Sequence, residues 1–432
     1  MVLRRTFGIF LLLILTLSLA APASGASFDE PLSAKNAVLY NVESDKILFE
    51  MGIDDTVYPA STAKIMTAVI ALEYYADSLD TPIRADGDVV CDVVGNNIAL
   101  SAGETFTAEQ LIAAVIVGNA NDAALTLAHE ISGSVEGFVE LMNQKAHELG
   151  MTSTVYGNPT GMHHKKMHTT VRDILTLAKY ANNMPRFMYL ASLKKYQMGE
   201  GANKRTIHNR NYMVSDTLVS KYFYYNAPGM NVGSTYESGL CAVISAEKGG
   251  LKYICVVTGC RYDAENDVMH SLVDSTKLID FALDNYAYAC VIDEKSIISE
   301  MPVSLGQDAD YVAIMPKSSC ETLLPTDIDI KNDIRYELEY WEQKLTAPVE
   351  SGREVGTISA YFGNELVAST TLIAKNSVKR SGVLSMLSAA GELFSSTPFL
   401  IGTALVVLII VYTVAAAIYR NRYRNRNDRY LR

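Results

Sequence analysis

Tyr58-Pro59-Ala60-Ser61-Thr62-Ala63-Lys64-Ile65-Met66-Thr67-Ala68 is the stretch on which the reading of this 432-residue chain turns. Pro59 ends an extended segment, and Ser61 opens a run of good helix formers whose apolar side chains Ile65, Met66, Val69, Ile70 and Leu72 recur at helical spacing. Ser61 is therefore expected at a helix N-terminus, where unpaired N–H groups and the positive end of the helix dipole favour an oxyanion. Lys64, one turn later, falls on the same face. A serine hydroxyl is a poor nucleophile until a base takes its proton, and a lysine amine desolvated under a helix start can be that base. Ser-x-x-Lys alone also describes a capping serine followed by a solvated lysine, so the surrounding chain has to decide.

Upstream, Ala37 to Asn41 and Lys46 to Glu50, joined by a polar turn at Val42 to Asp45, read as a hairpin leading into the serine. Downstream come Gly118-Asn119-Ala120-Asn121-Asp122-Ala123-Ala124, Gly157-Asn158-Pro159-Thr160-Gly161-Met162 and Pro228-Gly229-Met230-Asn231-Val232-Gly233-Ser234-Thr235. In order and spacing these segments resemble the low-molecular-weight penicillin-binding proteins, the serine-type D-alanyl-D-alanine carboxypeptidases that trim bacterial cell-wall peptides. The resemblance covers about residues 30 to 375. It implies a mixed α/β, β-lactamase-like transpeptidase domain followed by a small all-β domain.

The resemblance also assigns roles. Ser61 and Lys64 are the expected nucleophile and base. Asn121 matches the asparagine of a second motif, Ser-x-Asn, and its amide is expected to bond a substrate carbonyl and the Lys64 amine. Asn119 stands where the family has a serine, and an amide does not relay a proton as a hydroxyl can. The third motif, Lys-Thr-Gly, aligns with Asn231-Val232-Gly233. Gly233 keeps close backbone approach possible, and the Ser234 N–H is the expected second oxyanion donor beside that of Ser61. The family lysine would attract a substrate carboxylate and, as a like charge, lower the pKa of the base. With Asn231 in its place, Lys64 is expected to be protonated more often at neutral pH, and Arg261 or His270 is the expected source of any replacement charge. An arginine that the family places near Ser271 has no counterpart here.

Composition sets the compartment. Arg4 and Arg5 precede an apolar run from Phe7 to Ala20 and small residues follow, so residues 1–26 read as a secretory signal, too short for a comfortable membrane span. Residues 27–290 form the carboxypeptidase-like domain, with helices expected over Phe106 to Ile131, Val135 to Leu149, Thr169 to Asn182 (capped by Thr169 or Thr170) and Ser271 to Tyr286. Short alternating segments in residues 291–376 (Asp310 to Met315, Ile334 to Trp341, Val355 to Phe362, Leu366 to Ala374) read as a small β-domain, a spacer from the membrane. Residues 377–398 suit a juxtamembrane linker or interfacial helix. Residues 399–419 carry no charge and are long enough to cross a bilayer, and residues 420–432 hold six arginines against one aspartate, which places this tail in the cytoplasm and the domains outside the cell membrane.

The chain carries 37 basic and 48 acidic side chains, net −11; without the six arginines and one aspartate of the tail and the two leading arginines, 29 face 47, net −18. An ectodomain so acidic is no nucleic-acid binder. Around the turn Lys248-Gly249-Gly250, a hairpin whose paired residue numbers sum to 499 would set Cys241 against Thr258 and Cys255 against Ile244, on opposite faces, so the six cysteines are read as unpaired thiols. His163, His164 and His168 lack a carboxylate or cysteine at ligand spacing, and no metal or cofactor is expected. Asn209 and Asn211 read as buried hydrogen-bonding residues of a loop. Two functions remain in view: a carboxypeptidase acting on peptidoglycan stem peptides through an acyl-enzyme on Ser61, with β-lactams as covalent inhibitors, and an impaired relative that binds peptidoglycan or a partner. A β-lactamase or esterase uses the same Ser-x-x-Lys pair.

Overall fold

The computed structural model describes residues 26–216 and 219–427; the segment read as a signal, apart from Ala26, and the last five residues of the tail lie outside them. Two compact units divide the chain, one formed by Gly25–Ala287 with Leu323–Asp327, the other containing Tyr288–Thr322 and Ile328–Arg432.

The first unit is built on a five-stranded antiparallel sheet of β1 (Asn36–Asn41), β2 (Lys46–Met51), β3 (Gly229–Thr235), β4 (Gly239–Lys248) and β5 (Leu251–Cys260), in the order β2-β1-β5-β4-β3. Its middle strands are apolar on both faces because both faces are covered. Val38, Tyr40, Val243, Ile254 and Val256 pack with the helices on one side, whereas Ala37, Leu39, Ala242, Ile244, Tyr253 and Cys255 face Leu272, Leu278 and Ile279 on the other. Helices α1 (Lys64–Tyr74), α2 (Ala108–Ile116), α3 (Asn121–Ser132), α4 (Val135–Glu148) and α5 (Val171–Asn182) belong to the first group, and α6 (His270–Asn285) to the second. Thr170 caps α5, its hydroxyl accepting from the Asp173 N–H at 3.1 Å.

Two expectations change. The continuous helix over Phe106 to Ile131 is broken: Thr105–Thr107 is a short strand, α2 ends at Ile116, and α3 starts only at Asn121. Asn119 takes a left-handed φ of 54° in the break, and a Cβ on Gly118 would lie 2.7 Å from Ile207 and 2.8 Å from the Ala114 carbonyl. No helix continues through such a turn. The β4–β5 ladder follows the expected register from Lys248↔Leu251 to Ala242↔Val257, including Ile244↔Cys255, and then shifts so that Leu240 faces Cys260. Gly259, at φ +70°, absorbs the extra residue, and the Cys241–Thr258 pairing does not form. All six cysteines are free, with Cys241, Cys255 and Cys260 buried.

In the second unit, β6 (Ser299–Ser304), β7 (Tyr311–Pro316), β8 (Ile334–Tyr340), β9 (Leu345–Thr346), β10 (Glu354–Phe362) and β11 (Glu365–Ala374) make a six-stranded sheet ordered β8-β10-β11-β7-β6-β9. The β10–β11 hairpin turns at Gly363, φ +57°. Helix α7 (Gly382–Ser395) follows, then α8 (Thr397–Asn427), of which Thr397–Arg422 is long and apolar enough to cross a membrane, an 18-residue stretch of it having mean hydropathy 2.6.

Candidate active site

Ser61 lies two residues before Ala63, the cap of α1. It belongs to a 3-10 turn, Ala60–Ala63, that runs into α1, and Ala60 before it holds φ 48°. Two glycines let neighbouring backbone press on this turn. A Cβ on Gly161 would lie 1.8 Å from the Ala60 carbonyl oxygen, and one on Gly233 would lie 2.6 Å from the Ser61 nitrogen. The Ser61 turn is thus clamped between the 158–162 loop and β3, with room for no side chain at either point.

Lys64 is 1% exposed. Its Nζ donates to Ser61 Oγ at 3.0 Å and to the Thr160 carbonyl at 2.6 Å. The loop that supplies this carbonyl is held by Asn158, whose Oδ1 accepts from the Thr160 and Gly161 N–H groups at 3.2 and 2.7 Å. Desolvation by burial lowers the Lys64 pKa from 10.5 to about 7. Burial alone brings this amine into the range where it takes protons at neutral pH.

A cavity of about 300 Å³ opens over Ser61 and is bounded by Asn119, Asn121, Val232, Gly233 and Ser234. Lys64 and Asn231 are buried and form no part of its wall. Asn119 Nδ2 donates to the Val232 carbonyl at 2.9 Å, tying the α2–α3 turn to β3. Asn121 Nδ2 donates to the Val94 carbonyl at 2.7 Å rather than meeting Lys64. The adjoining wall is pinned by Asp122, whose carboxylate accepts from the N–H groups of Ile98 and Leu100 at 3.1 and 2.9 Å. The side-chain oxygens of Asn119, Asn121 and Asn231 are buried and have no hydrogen-bond partner among the described residues. Of these residues, Asn119 and Asn121 line the cavity over Ser61. A larger cavity of about 750 Å³, bounded by Phe28, Tyr224 and Asp280, shares no lining residue with the one over Ser61.

A family profile described as D-alanyl-D-alanine carboxypeptidase matches residues 23–261, and one described as the penicillin-binding protein 5 C-terminal domain matches residues 288–380. The chain belongs to the low-molecular-weight penicillin-binding proteins. The D-alanyl-D-alanine carboxypeptidase DacF of Bacillus subtilis is 27% identical over 357 residues, 82% of this chain and 88% of that protein. The crystal structure of the carboxypeptidase DacD from Francisella tularensis aligns with TM-score 0.61 at 23% identity over 82% of this chain and 98% of that one, a likeness of fold. Penicillin-binding protein D2 from Listeria monocytogenes in its ampicillin-bound form aligns at 25% identity and TM-score 0.50 over 59% of this chain and 98% of that one.

In this penicillin-binding protein the structure brings Ser61, Asn119, Asn121, Gly233 and Ser234 to one cavity, with Lys64 beneath Ser61. Arg261 and His270 do not reach its wall, whereas Arg210 and Tyr212, which sequence reading left out, do. The signal was present in Asn209 and Asn211, both buried, which flank the arginine. His163 is not among the residues bounding the cavity; its ring lies 4.9 Å from that of Tyr58 and its Nδ1 3.8 Å from a Glu237 oxygen. Among the described residues no cluster of metal-ligating side chains is found.

Proposed function

We propose that this protein is a serine-type D-alanyl-D-alanine carboxypeptidase acting on peptidoglycan stem peptides, slower than relatives with intact motifs. The observation that carries the reading is the 3.0 Å contact between Ser61 Oγ and a dry Lys64 amine whose pKa is about 7. Neutral Lys64 takes the hydroxyl proton as Oγ attacks the penultimate D-alanine carbonyl. The Ser61 and Ser234 N–H groups hold the oxyanion, and the unpartnered oxygens of Asn119 and Asn121 accept from substrate amides. Collapse breaks the peptide bond, the Lys64 ammonium returns its proton to the leaving amine of D-alanine, and water, deprotonated by Lys64, cleaves the Ser61 ester to release the shortened peptide. With Asn119 in place of a hydroxyl, Lys64 performs both proton transfers alone, which is the source of the slower turnover.

The domains work outside the cell membrane in this reading, held by the Thr397–Arg422 helix with the arginine tail inside. Protease added to intact cells should leave only the span and tail protected; a tail cut from outside rejects the orientation. The second reading, a non-catalytic binder of peptidoglycan, is favoured by Asn231 and Val232. Intact-mass measurement of the detergent-solubilised full chain after incubation with penicillin separates the two. An adduct on Ser61 that vanishes in Ser61→Ala supports the enzyme, and no adduct, or one on another residue, overturns it.

A further inference from the structure

Beyond the wall of the Ser61 cavity the chain turns basic. Met162 bounds that cavity, and the next four residues, His163-His164-Lys165-Lys166, are exposed. They lie within residues 149–172, which hold no aspartate or glutamate in a chain that has 48 acidic side chains among 432 residues. The setting is otherwise anionic, with 29 basic against 47 acidic side chains, net −18, once the tail and the two leading arginines are set aside. Lys165 and Lys166 make no side-chain hydrogen bond or ion pair among the described residues, whereas Lys145, Lys179, Lys194 and Lys221 are each met by a carboxylate.

A loose turn of this composition is only a solvated one, but this turn is fastened on both sides. The His164 carbonyl accepts from the Met167 N–H at 2.9 Å, and Met167 is buried. The His168 N–H donates to the Val155 carbonyl at 3.0 Å, and the Thr169 N–H donates to the Val57 carbonyl at 2.9 Å. Gly157 leaves room for the His164 ring, since a Cβ there would lie 2.5 Å from Nδ1. Ahead of the turn, the Thr160 carbonyl takes the Lys64 amine at 2.6 Å. Two free ammonium groups are therefore carried on backbone held in place relative to Ser61, so little order is lost when an anion meets them.

We propose that the turn at residues 163–166 is a landing site for the acidic part of the peptide substrate, its lysines attracting carboxylates that lie N-terminal of the scissile bond. The inference rests on the carboxypeptidase reading. An extended residue spans about 3.4 Å, so a cavity of about 300 Å³ takes the last few residues of a peptide and leaves the rest at its mouth. A cationic lip on an otherwise anionic domain draws that remainder to one side of the opening.

The test uses the full chain in detergent and two peptides ending in D-Ala-D-Ala with a free terminal carboxylate. One carries glutamates upstream of the final pair, and the other carries glutamines in their place. Lys165→Gln with Lys166→Gln should lower kcat/KM on the glutamate peptide by roughly 3- to 10-fold at low salt, the scale of two exposed charges acting together. The glutamine peptide should be cleaved as before, and the loss should vanish at about 0.5 M salt, where charges are screened within a few ångströms. Lys295→Gln with Lys344→Gln, both exposed in the second unit, changes the net charge equally and should leave both rates alone. Equal losses on the two peptides, no loss on either, or the same loss in the Lys295 and Lys344 variant overturns the proposal. If the native chain cleaves neither peptide, it is the carboxypeptidase reading that fails. The turn is then judged by titrating both peptides into Ser61→Ala: a preference for the glutamate peptide that disappears on adding the Lys165 and Lys166 changes upholds the landing site, and a preference that is absent or survives them overturns it.

Discussion

The two sides of the catalytic cavity have been treated differently. On the helical side, Ser61 Oγ and the Lys64 amine stand 3.0 Å apart, the nucleophile and base of the proposed mechanism, and burial lowers the Lys64 pKa to about 7. On the opposing side, β3 and the α2–α3 turn carry Val232 and Asn119 at the cavity wall and Asn231 buried outside it, at the positions where a lysine and hydroxyls would serve. A pKa lowered by desolvation rests on the whole packed interior, so a change of one residue on the facing strand can shift it without abolishing it. Carboxylate capture and proton relay are tasks of single groups and are lost with them. In the proposed mechanism the helical side therefore keeps its chemistry while the strand side loses its own.

The sharpest way to break this contrast is to remove the base without disturbing the packing. Lys64→Met replaces a buried amine with an apolar chain of similar length, and acylation by penicillin should fall by roughly 100- to 10,000-fold, as for loss of a general base. The thermal midpoint should hold or rise, since a desolvated amine is removed. Unchanged acylation would take Lys64 out of its role.

Repair of the strand side is the next largest effect. Asn231→Lys with Val232→Thr should raise D-alanine release, and adding Asn119→Ser should raise it further, for a combined gain on the order of 100-fold. These groups share one proton network, so the gains should be non-additive. No gain in the triple variant would mean that the site has drifted beyond these positions.

Gly233→Ala tests the clamp that joins the sides. Its Cβ would lie 2.6 Å from the Ser61 nitrogen, so strand or turn must move, at a cost of about 1–3 kcal/mol in a denaturant titration together with slower acylation. Stability and rate both at native values would mean that β3 does not fix the nucleophile.

The smallest effect is a matter of pH. Lys64 acts as base when neutral, so acylation should rise through an inflection near pH 7, and Asn231→Lys, a like charge nearby, should move that inflection to lower pH. The linkage has a definite sign: between pH 7 and the ordinary lysine value of 10.5 the unfolded chain binds more protons at this site, so its contribution makes the fold more stable as pH rises across that window. A rate profile flat from pH 6 to 9 would show that burial does not set the base.

How much of this was legible in sequence depended on how local the cause was. The Ser61–Lys64 pair, the β1–β2 hairpin and the tight turn at Gly249-Gly250 depend on spacings within a few residues, and they appear as expected, both glycines holding positive φ. The break before Asn121 was hidden because buried apolar residues continue through Val115, Ile116, Val117, Ala120 and Ala123, so periodicity alone runs a helix across the Gly118-Asn119 turn. The shift at Cys241 needed Gly259 on the partner strand, which a count from the hairpin tip does not contain. Arg210 was missed because a loop has no period, and what carries it to the cavity is the pegging of Asn209 and Asn211 to distant carbonyls. The base strength of Lys64 was unreadable for the same reason, since it is set by side chains from many parts of the chain.

The three thiols sealed in and beside the central sheet turn the fold into its own stopwatch. Burial raises the pKa of Cys241 to about 11 and of Cys255 to about 12, so at neutral pH a vanishing fraction of either is thiolate, the form that reacts with oxidants and alkylating reagents. Cys91 and Cys290 lie exposed and will be modified at once. The delay between that first burst and the labelling of Cys241, Cys255 and Cys260 is then a direct reading of how often the sheet opens.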